Sequence, residues 1–187
     1  MKTLDGKVAL VTGGGSGIGR ATALLLAAEG ARVALAGRRK EPLQQVVAEI
    51  ERDKGVAVAK TCDLTKAHEA RELGAWALKT FGGVDILVNN AGQSSHARSI
   101  RWIGQDEWDA VLGVNTTGVY ALTQSVLPSM LFGVPAVRMS WPAAVISTSS
   151  SMRTPMPRNS FGTGWVILGA FALSSSSTFL AATTPRR

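Results

Sequence analysis

The run KVALVTGGGSGIGRATALLLAAEG, residues 7–30, constrains the fold more than any other stretch of the chain. Residues 7–12 form an unbroken apolar segment, the pattern of a strand buried on both faces of a parallel sheet. It runs straight into glycines at Gly13, Gly14 and Gly15, and then into a helical stretch, 17–30, that closes on Gly30. The spacing that matters is Gly13-xxx-Gly17-x-Gly19. Glycines at a strand-to-helix turn let the backbone bend sharply and bring its N–H groups close to an anion. The helix N-terminus adds a favourable partial charge there. A strand, a glycine turn and a helix in this order predict an α/β domain with a phosphate-cradling loop.

The alternation continues. ARVALAG (31–37) reads as a second strand and EPLQQVVAEIERD (41–53) as an amphipathic helix, with Leu43, Val46, Val47 and Ile50 at helical spacing. VAVAKTCD (56–63) is a third strand, 66–81 a third helix, and VDILVNNAG (84–92) a fourth strand entering a glycine turn. Residues 106–130 read as one long helix, and AAVIST (143–148) as a fifth strand. Strands alternating with helices predict a Rossmann-like, doubly wound parallel sheet. The chain is expected to be a single domain over 1–187, with a regular core over 1–130 and an irregular segment over 131–187.

Charge separates these two parts. All 13 acidic residues lie at or before Asp109, and residues 110–187 carry five Arg and no Lys, Asp or Glu. Basic residues so scattered lack the clustering, on one element and with aromatics, that a nucleic-acid surface needs, so no nucleic-acid partner is expected. No apolar run reaches the length of a membrane span, and no membrane association is expected. The single cysteine, Cys62, excludes an internal disulfide and fits a reducing, cytoplasmic setting. The two histidines, His68 and His96, have no cysteine cluster around them, and no metal site is expected.

Four segments in register carry a family resemblance: TGGGSGIGRA (12–21), DLT (63–65), NNAG (89–92) and VNTTG (114–118). Together they resemble the short-chain dehydrogenase/reductase family over residues 5–130. The resemblance implies a nicotinamide dinucleotide, strands in the order 3-2-1-4-5, and hydride transfer to or from a small carbonyl or alcohol substrate; a homo-oligomer is left open. It implies that the backbone around Gly13, Ser16, Gly17, Ile18 and Gly19 would cradle the pyrophosphate. Asp63 would accept from the adenine amino group, beside the Leu64 backbone. Asn89, Ala91 and Gly92 would line the adenine-side ribose, and Asn115 would hold a helix kink and a proton-relay water.

After the second strand the chain reads AGRRKEP (36–42). An acid at this point would accept hydrogen bonds from a ribose 2′-hydroxyl. Here Arg38 and Arg39 stand instead, and guanidinium groups pair with a 2′-phosphate. The expectation is NADP(H) over NAD(H), with Arg38 as the main contact.

The family's chemistry implies a Tyr that protonates the carbonyl oxygen, a Lys four residues on that lowers its pKa, and a Ser upstream. STSSSMRTPMPRNSFGTGW (147–165) resembles that segment, but Phe161 stands at the Tyr position and Trp165 at the Lys position. The only tyrosine is Tyr120, followed four residues on by Gln124, and the last lysine is Lys79. The serine is Ser150 when matched from upstream and Ser149 from downstream. The chain is expected to be truncated relative to the family and catalytically impaired. It would then act as a non-catalytic NADP(H)-binding module with a protein partner, or be a frame-shifted or misspliced copy of an active reductase.

Overall fold

The computed structural model describes residues 2–97, 99–132 and the backbone of 165–168. Four parallel strands, β1 (Val8–Thr12), β2 (Arg32–Gly37), β3 (Val56–Thr61) and β4 (Ile86–Asn89), lie in the order β3-β2-β1-β4. Helices α1 (Gly17–Ala28), α2 (Lys40–Arg52) and α3 (Ala67–Phe81) connect them. A fifth strand, β5 (Trp165–Leu168), runs parallel to β4 with Ile86 opposite Trp165. Segment 143–148, expected to be the fifth strand, lies outside the described residues, and Trp165, expected in the helix beyond it, opens β5.

Strand alternation explains the two-layered core. Val8 and Leu10 point to the face covered by α3 and the helix over 118–132, where Leu73, Leu87, Leu122 and Val126 are buried. Ala9 and Val11 point the other way, to Val33, Leu35, Leu43 and Ile50 under α1 and α2. Both faces of each central strand are buried, which is why these strands are continuous apolar runs rather than alternating ones. α1 buries only Gly19, Ala23 and Ala27, so a stripe of small residues brings its axis close to the sheet.

The stretch expected as one long helix is three pieces: α4 (Gln105–Leu112), a π-helical turn (Gly113–Thr117) and α5 (Gly118–Phe132). The π turn falls where the chain passes the β3–α3 loop. A Cβ at Gly113 would meet the Thr65 backbone at 3.3 Å, and one at Gly118 would collide with the Leu64 carbonyl. Glycine on both sides of the turn therefore lets the helix press directly on residues 64–65. A single-turn 3₁₀ helix, Ile100–Trp102, precedes α4. Among the described residues no helix is long and apolar enough to cross a membrane, and no three His, Cys, Asp or Glu form a metal-binding group.

Candidate functional site

The C-terminal ends of β1, β2 and β4 and the β3–α3 loop enclose a groove of about 590 Å³. Its floor is the first turn. Gly13 and Gly17 have φ of +66° and +53°, the left-handed region where side chains are strained. Gly19 answers a different demand, because a Cβ there would run into the Gly13 carbonyl and the Asn90 amide. Ser16 caps α1 in an extended conformation without a side-chain hydrogen bond to the helix. Ile18, on the first turn of α1, is 72% exposed.

The first turn is locked to the end of β4. The buried Thr12 hydroxyl accepts from the N–H of Asn90 and of Ala91, both at 3.0 Å, and donates to the Val88 carbonyl. Asn90 Nδ2 returns to the Thr12 carbonyl at 2.9 Å. Asn90, Ala91 and Gly92 all line the groove. Asn89 does not: it is 4% exposed, and its Nδ2 donates to Thr123 Oγ1 on α5 at 3.2 Å. Neighbouring residues at a strand end point to opposite faces, so only one of the two asparagines can reach the groove. Asn90 was not among the residues expected there, although the NNAG motif already contained it.

The β2 end supplies Arg38 and Arg39, both exposed and both in the groove wall. Opposite stands Asp63. Partial burial opposes its ionisation, but the Thr65 N–H and hydroxyl donate to Oδ1 at 3.1 and 2.9 Å, and Lys66 and Arg38 add favourable charge. The balance holds the Asp63 carboxyl below its ordinary range. The Asp63 N–H in turn donates to Glu69 Oε2 at 2.8 Å, and Lys66 pairs with the same carboxylate. Leu64 is 5% exposed and also lines the groove. Cys62 also borders it, but burial pushes its thiol up to about 11, so it is a poor nucleophile near neutral pH.

Asn115, on the π turn, does not line the groove itself but grips the lining residue Gln93 from both sides. Its Nδ2 donates to the Gln93 carbonyl at 2.7 Å, and its Oδ1 accepts the Gln93 N–H at 3.1 Å. Gly92 packs so closely here that a Cβ would come within 2.8 Å of Asn115 Oδ1. The next residues are held by Glu107 of α4, which accepts from the Ser95 hydroxyl and the His96 N–H, each at 2.7 Å. Those bonds keep the Glu107 carboxyl below its ordinary range. Ser149, Ser150 and Phe161 lie outside the described residues.

A glycine-lined strand-to-helix turn, a β2 end and a β4 end converging beside a helix N-terminus form the crevice in which doubly wound sheets take dinucleotides. A family model described as short chain dehydrogenase matches residues 7–161. The chain belongs to the short-chain dehydrogenase family. It is 48% identical over 131 residues to an uncharacterized oxidoreductase of Staphylococcus aureus strain USA300, covering 70% of this chain and 55% of that protein. Among solved structures it resembles a metagenomic short-chain oxidoreductase in complex with NADP (38% identity, TM-score 0.66, 68% of this chain and 57% of that one). It also resembles a short chain dehydrogenase from Burkholderia cenocepacia in complex with NADP (42% identity, TM-score 0.64, 66% of this chain and 51% of that one). The chain spans about half the length of the curated relatives it matches.

Proposed function

We propose that this short-chain dehydrogenase chain binds NADP(H) in preference to NAD(H) and has little or no turnover of its own. The observation that carries the cofactor reading is the joint placement of Arg38, Arg39 and Asp63 in one groove with the glycine turn. Gly13 and Gly19 lack side chains, which lets the turn pack directly on Asn90 and Ala91 and hold its bend. The α1 N-terminus offers its first N–H groups to that anion. Arg38 and Arg39 suit a 2′-phosphate, since the wall at this point carries guanidinium groups where a carboxylate would repel it. The ionised Asp63 suits the adenine amino group as an acceptor. Two solved relatives are complexes with NADP, which supports a nicotinamide dinucleotide as the ligand.

Bound in the groove, the cofactor would supply hydride to a carbonyl carbon or take one from an alcohol. The chain's own part in that reaction is a proton donor, and here its sequence is wanting. Phe161 stands where a Tyr is expected and Trp165 where its Lys partner is expected. A phenyl ring fills the space but carries no proton to give, which costs about 10²–10⁴ in rate. Tyr120 offers no substitute: it is exposed on α5, and its hydroxyl accepts from Gln124 Nε2, with no lysine on the following turn. Without a proton donor, the second reading is a non-catalytic cofactor-binding module that acts through a protein partner.

The test is a melting curve of the purified chain with and without NADPH, paired with an NADPH-consumption assay on a panel of aldehydes and ketones. A rise in Tm with no turnover is expected, since a ligand that binds only the folded state stabilises it. No rise at saturating NADPH overturns the cofactor reading. Steady turnover overturns the impairment.

A further inference from the structure

We propose that Glu107 is a positioning residue for the far wall of the groove, and that it sets affinity for the nicotinamide half of the dinucleotide. This rests on the NADP(H) reading above. The wall on this side is the start of the segment 92–97 that leaves β4, and residues 94–97 continue it beyond the groove. Gly92 and Gln93 face the groove. The segment makes no ladder bonds, and side chains from the next helix hold its shape instead. Asn115 clamps Gln93 through both backbone groups. Glu107 performs the same service two residues on: Oε1 takes the Ser95 hydroxyl and the His96 N–H, each at 2.7 Å. Ser95 Oγ meanwhile accepts the Ala97 N–H at 2.9 Å, closing a turn over 95–97.

The placement of Glu107 is informative. It lies in the first turn of α4, where an acid usually folds back onto its own helix N-terminus. Here it reaches across to another segment, and the α4 N-cap, Gly104, has no side chain to do the capping. Helix stability is thus given up for the shape of the groove wall. A wall already ordered does not have to be ordered when the ligand arrives, and that ordering is a recognised cost of binding. Under the NADP(H) reading the adenosine half would meet Arg38, Asp63 and the first turn, none of which Glu107 touches, so it should be indifferent to Glu107.

The experiment compares NADPH and adenosine 2′,5′-bisphosphate, the fragment lacking the nicotinamide half, by calorimetric titration of the full chain. The proteins are wild type, Glu107→Ala, Glu107→Gln and Ser95→Ala. Glu107→Ala and Ser95→Ala are expected to weaken NADPH about three- to tenfold, the scale of one ordering cost, and to leave the fragment within twofold. Glu107→Gln keeps an acceptor oxygen and is expected to restore most of the NADPH affinity. Equal weakening of NADPH and the fragment would mean a general loss of structure and overturns the proposal. Unchanged NADPH affinity in Glu107→Ala overturns it too, while leaving the cofactor reading intact. Failure of the wild type to bind either molecule overturns both.

Discussion

Thr12 and Asn90 hold each other from both sides. The Thr12 hydroxyl accepts the Asn90 N–H at 3.0 Å, and the Asn90 side-chain amide donates to the Thr12 carbonyl at 2.9 Å. The same hydroxyl accepts the Ala91 N–H. Thr12 is 1% exposed, so water cannot replace it. Thr12→Val keeps the shape and removes the hydroxyl. Asn90 N–H retains the Val88 carbonyl, whereas Ala91 N–H loses its partner. The expected loss is about 1 kcal/mol, the net contribution of one hydrogen bond at a half-buried donor. A urea titration should show a lower midpoint with an unchanged slope. Thr12→Ser should sit close to wild type.

Gly19→Ala separates packing from helix propensity. Alanine gains about 1 kcal/mol over glycine inside a helix. At this position its methyl would strike the Gly13 carbonyl and the Asn90 amide. Neither can retreat, since Asn90 is held by Thr12. Overpacking of about 1–3 kcal/mol should outweigh the propensity gain. The variant is expected to melt lower and to lose its NADPH-induced Tm shift. Gly17→Ala meets nothing within 4 Å and pays only for its φ of +53°. It should keep some response to NADPH, and a Gly19→Ala protein as stable and responsive as wild type would refute the turn geometry.

Residues that speak through local pattern were legible in the sequence. The apolar run at 7–12, the glycine turn and the amphipathic 41–53 each carry their own signal, and β1, α1 and α2 follow them within a residue or two. The spacing over 106–130 reads as one helix, because a single π turn, at 113–117, is too short for its phase shift to stand out; only the family resemblance, with its kink at Asn115, points to the place. The turn's trace is Gly113 and Gly118, whose need for close approach to residues 64–65 appears only in three dimensions. The choice between Asn89 and Asn90 depends on strand parity at a strand end, which shifts with a single residue of register. Glu107 could not be found at all: its partners, Ser95 and His96, are a loop whose path no periodicity describes.

Arg38→Ala should change which cofactor is preferred. Arg38 lies at the groove wall just past β2 and close enough to Asp63 to lower its pKa. A guanidinium–phosphate hydrogen bond contributes about 1.5–3 kcal/mol, so NADPH affinity should fall roughly ten- to hundredfold. NADH affinity should hold or improve slightly. Because Arg38 is exposed, the effect should shrink as salt rises. Parallel NADPH and NADH titrations at two ionic strengths measure it. An unchanged NADPH/NADH ratio would remove Arg38 from the recognition of the 2′-phosphate.

Acid should unfold the chain through the β3–α3 loop and the α4 N-terminus. Asp63, Glu69 and Glu107 are all held below their ordinary values of 3.8 for Asp and 4.5 for Glu. For Asp63 burial pulls the other way and is outweighed by Thr65 and the nearby cations. For Glu69 the leading cause is the Asp63 N–H, and for Glu107 the Ser95 hydroxyl. With lowered folded pKa values, the folded state binds fewer protons than the unfolded one. The stability these groups contribute is fully present above their unfolded pKa values, and it is lost as pH falls through the folded ones. Urea midpoints should therefore be level from pH 7 to about pH 5 and then drop. Asp63→Asn keeps an acceptor for Thr65 but no longer titrates, so its midpoint should be lower at pH 7 and fall less steeply below pH 4.5. An acid limb as steep as that of wild type would mean that Asp63 is not among the groups whose protonation opens the fold.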